Sequence, residues 1–254
     1  MAAVIVQIRP EPVRQPYTTT TEPTPTFTTV GPVKPQPLRP VRGVADLAAN
    51  AAVLAAAESA ADPAPTAWAY VKSDHGELWR RLDDQKFAIV EDGKVKVIEG
   101  SEFEVGYRYL LSLPTDPDRL LERIYATIDD EHARARDTSR APWKPLTAGQ
   151  RDSWAFQQIA QGMRDAVLPA KLRAVMYGAL AKIPGTRYQG KAVDPAGRAA
   201  LSVYLTYGAG LRDEIFVHPR TYAYLGYRTD EKGRTIGSDA VLKAVIVAGP
   251  GRRS

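Results

Sequence analysis

The spacing of apolar residues along this chain switches between helical and strand-like several times. Residues 43–61 are dominated by alanine, with Val44, Leu47, Val53 and Leu54 forming a thin apolar stripe, which predicts a helix. Asp62-Pro63 ends it, because the residue before a proline is pushed out of the α region. Four short segments rich in aromatic and β-branched residues follow, at 67–72, 78–82, 86–90 and 94–98. Turn chemistry separates them, most clearly Asp92-Gly93, so they predict an antiparallel meander.

The period then returns to that of a helix. Thr115-Asp116-Pro117-Asp118 supplies a cap, a proline for the first turn and an acid near the positive end of the helix dipole. Leu120, Leu121, Ile124, Tyr125 and Ile128 fall on one face behind it. A second helix opens at Thr147 and carries Phe156, Ile159 and Met163. A third opens at Pro169, with Leu172, Val175, Met176, Ala179, Leu180 and Ile183 as its apolar stripe, and stops at Pro184-Gly185. Strand patterns resume at 187–193, 199–207, 211–217, 222–229 and 241–247. Helix, strands, helices and strands in that order predict an α+β fold built on one large antiparallel sheet covered by helices.

Ahead of the body, nine prolines between Pro10 and Pro40, with Thr18–Thr21 among them, predict an extended, disordered Pro/Thr-rich stalk. Ala2–Ile8 is an apolar stub too short to cross a bilayer. It reads either as a tail or as the outer end of a membrane anchor beginning further upstream. Residues 1–42 are therefore expected to be stub and linker, and residues 43–254 a single α+β ectodomain.

Composition narrows the chemistry. There is no cysteine, which excludes disulfides, zinc-thiolate sites and thiol nucleophiles. The net charge of +5 is drawn largely from Arg9, Arg14, Lys34, Arg39 and Arg42 in the stalk. The body mixes both signs, so no nucleic-acid partner is expected. His75 and His218 sit in turn sequences, and His132 is followed by Arg134 and Arg136, so no metal site is expected. Asp213 and Glu214 are adjacent on a strand and point to opposite faces, so they cannot act as an acid–base pair. No glycine-rich phosphate loop or nucleophile elbow is present, and neither catalytic residues nor a cofactor are expected.

The aromatic residues carry the binding expectation. Trp68, Tyr70, Trp79, Phe87, Tyr204, Phe216 and Tyr224 are the candidate ligand contacts, should helices on one side of a curved sheet leave an apolar cleft. The same residues can instead be core and cross-strand pairs.

Four stretches carry a resemblance: residues 67–73, residues 111–121 with Leu-Pro-Thr-Asp-Pro, the helix 167–185 with Leu-Pro-x-x-Leu-Arg, and the turn Asp194–Arg198. Over about residues 43–230 the chain resembles a family of uncharacterised actinobacterial membrane-anchored proteins. Their genes often lie beside extracytoplasmic-function sigma factors. Their exported domain is similar to the half-barrel of periplasmic lipoprotein carriers. Where that family has Asp-Pro-x-Thr-Gly, this chain has His218-Pro219-Arg220-Thr221-Tyr222. The resemblance implies a half-barrel-like sheet in the cell envelope, on the extracytoplasmic side of the cytoplasmic membrane or secreted. It implies a non-catalytic binding or sensing role with a lipidic or apolar ligand, or alternatively an interaction or signalling module with an envelope protein partner and no small ligand.

Overall fold

The computed structural model describes residues 37–58, 63–100, 105–138, 144–164 and 166–254. The chain divides into two units, 1–34 and 35–254. The first lies outside the described residues, as do the expectations for the apolar stub and for most of the Pro/Thr-rich stalk. Residues 37–42 carry neither helix nor strand. No helix among the described residues is long and apolar enough to cross a membrane.

Helix α1 (Val44–Ala57) buries Val44, Leu47, Ala51 and Ala55 along one stripe and packs on the later helix α5 (Ala170–Lys182). Small alanine side chains let two helices lie close. Asn50, also buried, satisfies its amide by donating to the Arg39 carbonyl at 2.7 Å and to the Tyr222 hydroxyl at 3.0 Å, and its Oδ1 accepts from the Arg39 N–H at 2.9 Å. One buried amide therefore fixes the entry of the chain onto the body.

Strands β1 (Trp68–Ser73), β2 (Gly76–Arg81), β3 (Lys86–Glu91) and β4 (Lys94–Glu99) form the first meander. A short helix not evident from the sequence, α2 (Tyr107–Leu111), follows; Asp84 accepts the Tyr107 and Arg108 N–H groups at 2.7 and 2.8 Å. Helix α3 (Pro117–Thr138) begins with Asp116 accepting from the Asp118 and Arg119 N–H groups, both at 3.0 Å. Helix α4 (Ala148–Arg164) begins with a reciprocal cap: the Thr147 N–H donates to Gln150 Oε1 at 3.0 Å, and the Gln150 N–H donates to Thr147 Oγ1 at 3.3 Å.

The second meander is β5 (Arg187–Val193), β6 (Ala199–Tyr207), β7 (Leu211–Val217), β8 (Tyr224–Glu231) and β9 (Arg234–Val247). All nine strands join one open antiparallel sheet in the order β4-β3-β2-β1-β9-β8-β7-β6-β5. Strand β9 is the seam. Its first half pairs with β8 as far as Ala240, and from Val241 onward it pairs with β1. It starts seven positions earlier than its apolar run, because residues 234–240 hold one large apolar side chain, the exposed Ile236, and so show no alternation.

One face of the second meander carries Leu201, Val203, Leu205, Ile215 and Val217, which share the main core with Leu120, Phe156, Ile159, Tyr177 and Leu180 of the helices. Against this face α4 packs on β6, β7 and β8. The other face holds two smaller clusters, Trp68–Tyr70–Trp79–Ala88–Val247 and Ala200–Phe216–Leu225. The α+β class and the helix-covered antiparallel sheet are as the residue pattern requires.

Candidate functional site

A cleft of about 270 Å³ opens between α4 and strands β7 and β8. Helix α4 contributes Phe156, Gln157, Ala160, Gln161 and Arg164; the strands contribute Asp213, Glu214, Ile215, Tyr227 and Thr229. Residues 157, 161 and 164 recur at helical spacing and give α4 a polar stripe beside its apolar one, a signal the apolar pattern alone leaves unread.

The cleft floor is polar and hydrogen bonded. The Asp213 carboxylate accepts from the Tyr207 hydroxyl at 2.6 Å, Gln157 Nε2 at 2.8 Å and the Thr229 hydroxyl at 2.6 Å. Burial first, then the bond to Asp213, pushes the Tyr207 phenol well above its usual range, so the phenol stays protonated near neutrality. Glu214 lies on the opposite face, held by Arg212 at 2.7 Å and Arg228 at 2.6 Å, as strand alternation demands.

A second constellation lies at the seam. The β1–β2 turn brings Asp74 and His75 against Asp239 of β9, and their ligating atoms all lie within 4.8 Å of one another. His75 Nε2 is 3.8 Å from Asp74 Oδ1, 4.0 Å from Asp239 Oδ1 and 3.0 Å from the Ser238 carbonyl oxygen. The turn is pinned to β9 from both sides: the Asp74 N–H donates to the Ala240 carbonyl at 3.1 Å, and the Ala240 N–H donates to Asp74 Oδ1 at 3.0 Å. Burial and a hydrogen bond with Asp74 raise the Asp239 carboxyl to about 6. Although burial opposes it, the Ala240 N–H and the Asp239 bond hold Asp74 below its usual range. The Ser238 carbonyl and the Asp74 charge raise His75. Sequence reading treated His75 as a turn residue and did not single out Asp239, since Asp74 and its β9 partner Ala240 stand 166 positions apart. A lone acid bordering the apolar run 240–247 was the available signal.

The seven aromatic candidates do not meet in one place, and none lines the cleft. Trp68, Tyr70 and Trp79 cluster on the helix-free face, with Tyr70 and Trp79 stacked at 4.8 Å. Residues near the C-terminus cover this group: the Trp79 indole donates to the Arg252 carbonyl at 2.6 Å, and Arg253 bonds Glu77 at 2.5 Å, which also accepts from the Tyr70 hydroxyl at 2.9 Å. Tyr204 and Phe216 share that face further along the sheet, the Arg212 guanidinium lying 3.7 Å from the Tyr204 ring centre and that of Arg228 5.2 Å from Phe216. Phe87 is buried on the opposite face, across from Arg80. Tyr224, half-buried, packs against the main core. The other two histidines are turn or helix-surface groups: His218 Nδ1 accepts the Thr221 N–H at 3.1 Å, and His132 Nε2 lies 2.8 Å from the Lys144 carbonyl.

No protein-family model, no curated protein and no solved structure matches the chain.

Proposed function

We propose that this chain is a non-catalytic binding or sensing domain of the cell envelope, exported or membrane-tethered, that takes one apolar group of its ligand into the cleft between α4, β7 and β8. The cleft carries this reading. Phe156, Ala160, Ile215 and Tyr227 give it apolar walls, while the Asp213 carboxylate accepts hydrogen bonds from three neighbours. Apolar walls beside a few fixed polar groups are the usual make-up of a ligand cleft, which supports a binding role. A volume of 270 Å³ is just under the usual range for drug-sized ligands and has room for roughly nine groups of water size. That is the end of an acyl chain or one large side chain, rather than a whole lipid. The half-barrel likeness to lipoprotein carriers and the extracytoplasmic location, drawn from the sequence resemblance and the Pro/Thr-rich stalk, belong to the same proposal.

One observation favours a second reading, an interaction module without a small ligand. Val90, Val95 and Val97 lie exposed on one face of the β3–β4 hairpin at the sheet edge, where a protein partner would cover them.

Native mass spectrometry of the full chain, expressed with its own envelope lipids and then extracted with organic solvent, tests the first reading. The expected result is a co-purifying apolar ligand that is lost in Ala160→Trp, a variant that plugs the cleft and keeps the wild-type circular dichroism. An unliganded wild-type chain that also fails to take up added fatty acid would overturn it and leave the interaction module.

A further inference from the structure

We propose that Asp74, His75 and Asp239 form a binding site for a divalent transition-metal ion of the zinc class at the seam between the two meanders. The site is independent of the cleft reading. Three donors from two distant parts of the chain converge: one imidazole nitrogen and two carboxylates, with the Ser238 carbonyl as a fourth oxygen 3.0 Å from His75 Nε2. An imidazole with two carboxylates suits zinc, cobalt, nickel or manganese better than magnesium or calcium, which favour all-oxygen sets.

The distances fit after a small adjustment. Ligand atoms about 2.0–2.1 Å from a tetrahedral ion stand roughly 3.3 Å apart. His75 Nε2 lies 3.8 and 4.0 Å from the two carboxylate oxygens. Closing the remaining half ångström falls to His75, whose side chain is 69% exposed and shifts as Nε2 exchanges its Ser238 hydrogen bond for the ion, whereas Asp239 is only 10% exposed.

The arrangement also differs from a chance group of surface acids. Surface carboxylates separate into solvent, but Asp239 is buried and its Oδ1 is held 4.0 Å from His75 Nε2. Two backbone hydrogen bonds from Ala240 hold Asp74 in place, and Ser73 bonds Asp239 from the side. Arg164 of α4 is the cation whose charge reaches His75, and it weakens the site without removing the excess of two carboxylates. A bound ion would join the turn after β1 to β9, adding to the strand pairing and the Asp74–Ala240 bonds that link the halves of the sheet.

Cobalt and zinc titrations of the chelator-treated full chain test this. The expected result is one ion per chain, a visible cobalt absorption band, and a shift of the His75 ring resonances with those of His132 and His218 unmoved. His75→Ala and Asp239→Asn should each weaken binding about tenfold or more, with melting temperatures in chelator that show both variants folded. Magnesium and calcium should leave the His75 resonances in place. Absence of a cobalt band in the wild type, or equal zinc affinity in both variants, would overturn the assignment.

Discussion

Gly226 on β8 faces Ala240 across the ladder to β9 and adopts φ of +143°, a region open almost only to glycine. In Gly226→Ala the new Cβ would lie 2.2 Å from the Asp239 carbonyl oxygen and 3.1 Å from the Ala240 Cα, where ordinary contacts begin at 3.4 Å. Both obstacles are backbone, so no side chain can swing aside. Relieving the clash requires β8 and β9 to part by about 1 Å. The backbone conformation costs about 1–3 kcal/mol, and forcing extra volume into a packed site costs about 1–3 kcal/mol more. Loosened ladder hydrogen bonds add about 0.5–1.5 kcal/mol each. We therefore expect a loss of about 4 kcal/mol, a large fraction of the roughly 5–15 kcal/mol that holds a domain together. The melting temperature should fall by about 10 °C for a body of this size. Urea denaturation followed by circular dichroism measures it. Gly93→Ala is the control: φ there is +74°, but nothing lies within 4 Å of the added Cβ, so only the left-handed backbone cost of about 1 kcal/mol applies. If Gly226→Ala lost no more stability than Gly93→Ala, the close approach of β8 to the Asp239 backbone would be refuted.

Further outcomes follow from the same packing. Asp239, raised from 3.8 to about 6, holds a proton in the folded chain that the unfolded chain has already released, so its contribution is complete below pH 3.8 and is lost as pH rises through about 6. Asp74, lowered, opposes this only in acid. In chelator, Asp239→Asn should therefore be more stable than wild type at pH 8 by about 3 kcal/mol and lose most of that advantage near pH 4.5, as read from urea midpoints. Truncation after Gly251 removes the Arg252 carbonyl that accepts from Trp79 and the Arg253 partner of Glu77; tryptophan emission should move to longer wavelength and stability should drop by about 2 kcal/mol. Glu214→Gln leaves Arg212 and Arg228, each about a third exposed, facing one another without their shared carboxylate; a loss of about 2 kcal/mol is expected, and 1 M salt should recover part of it through screening.

The residue pattern made most of the fold legible, and the reasons differ by element. Helices α3, α4 and α5 announced themselves because each has a cap or proline start and buries one stripe, as Leu120, Ile124 and Ile128 do on α3. Strands β1 to β3 and β6 to β8 were readable because aromatic and β-branched residues line their buried positions. Helix α2 was not, since five residues are too few for a period and its start is capped by the distant Asp84. The first half of β9 is not legible because none of Arg234 to Ser238 is buried and the first buried position, Asp239, is charged. The candidate sites were less legible. Aromatic content pointed to Trp68, Tyr70 and Trp79, but burial beneath the C-terminal residues is a tertiary fact that local composition does not encode. The cleft instead depends on where α4 crosses β7 and β8, and the seam cluster depends on a pairing between residues far apart in sequence.

The central claim, that the α4–β7–β8 cleft is a ligand site, is tested most directly by methyl and aromatic NMR of the full chain during titration with octanoate, a chain short enough for the cleft. The account predicts saturable shifts centred on Ile215 and Phe156, absent in Ala160→Trp. Shifts confined to Val90, Val95 and Val97, or none at saturation, would contradict it.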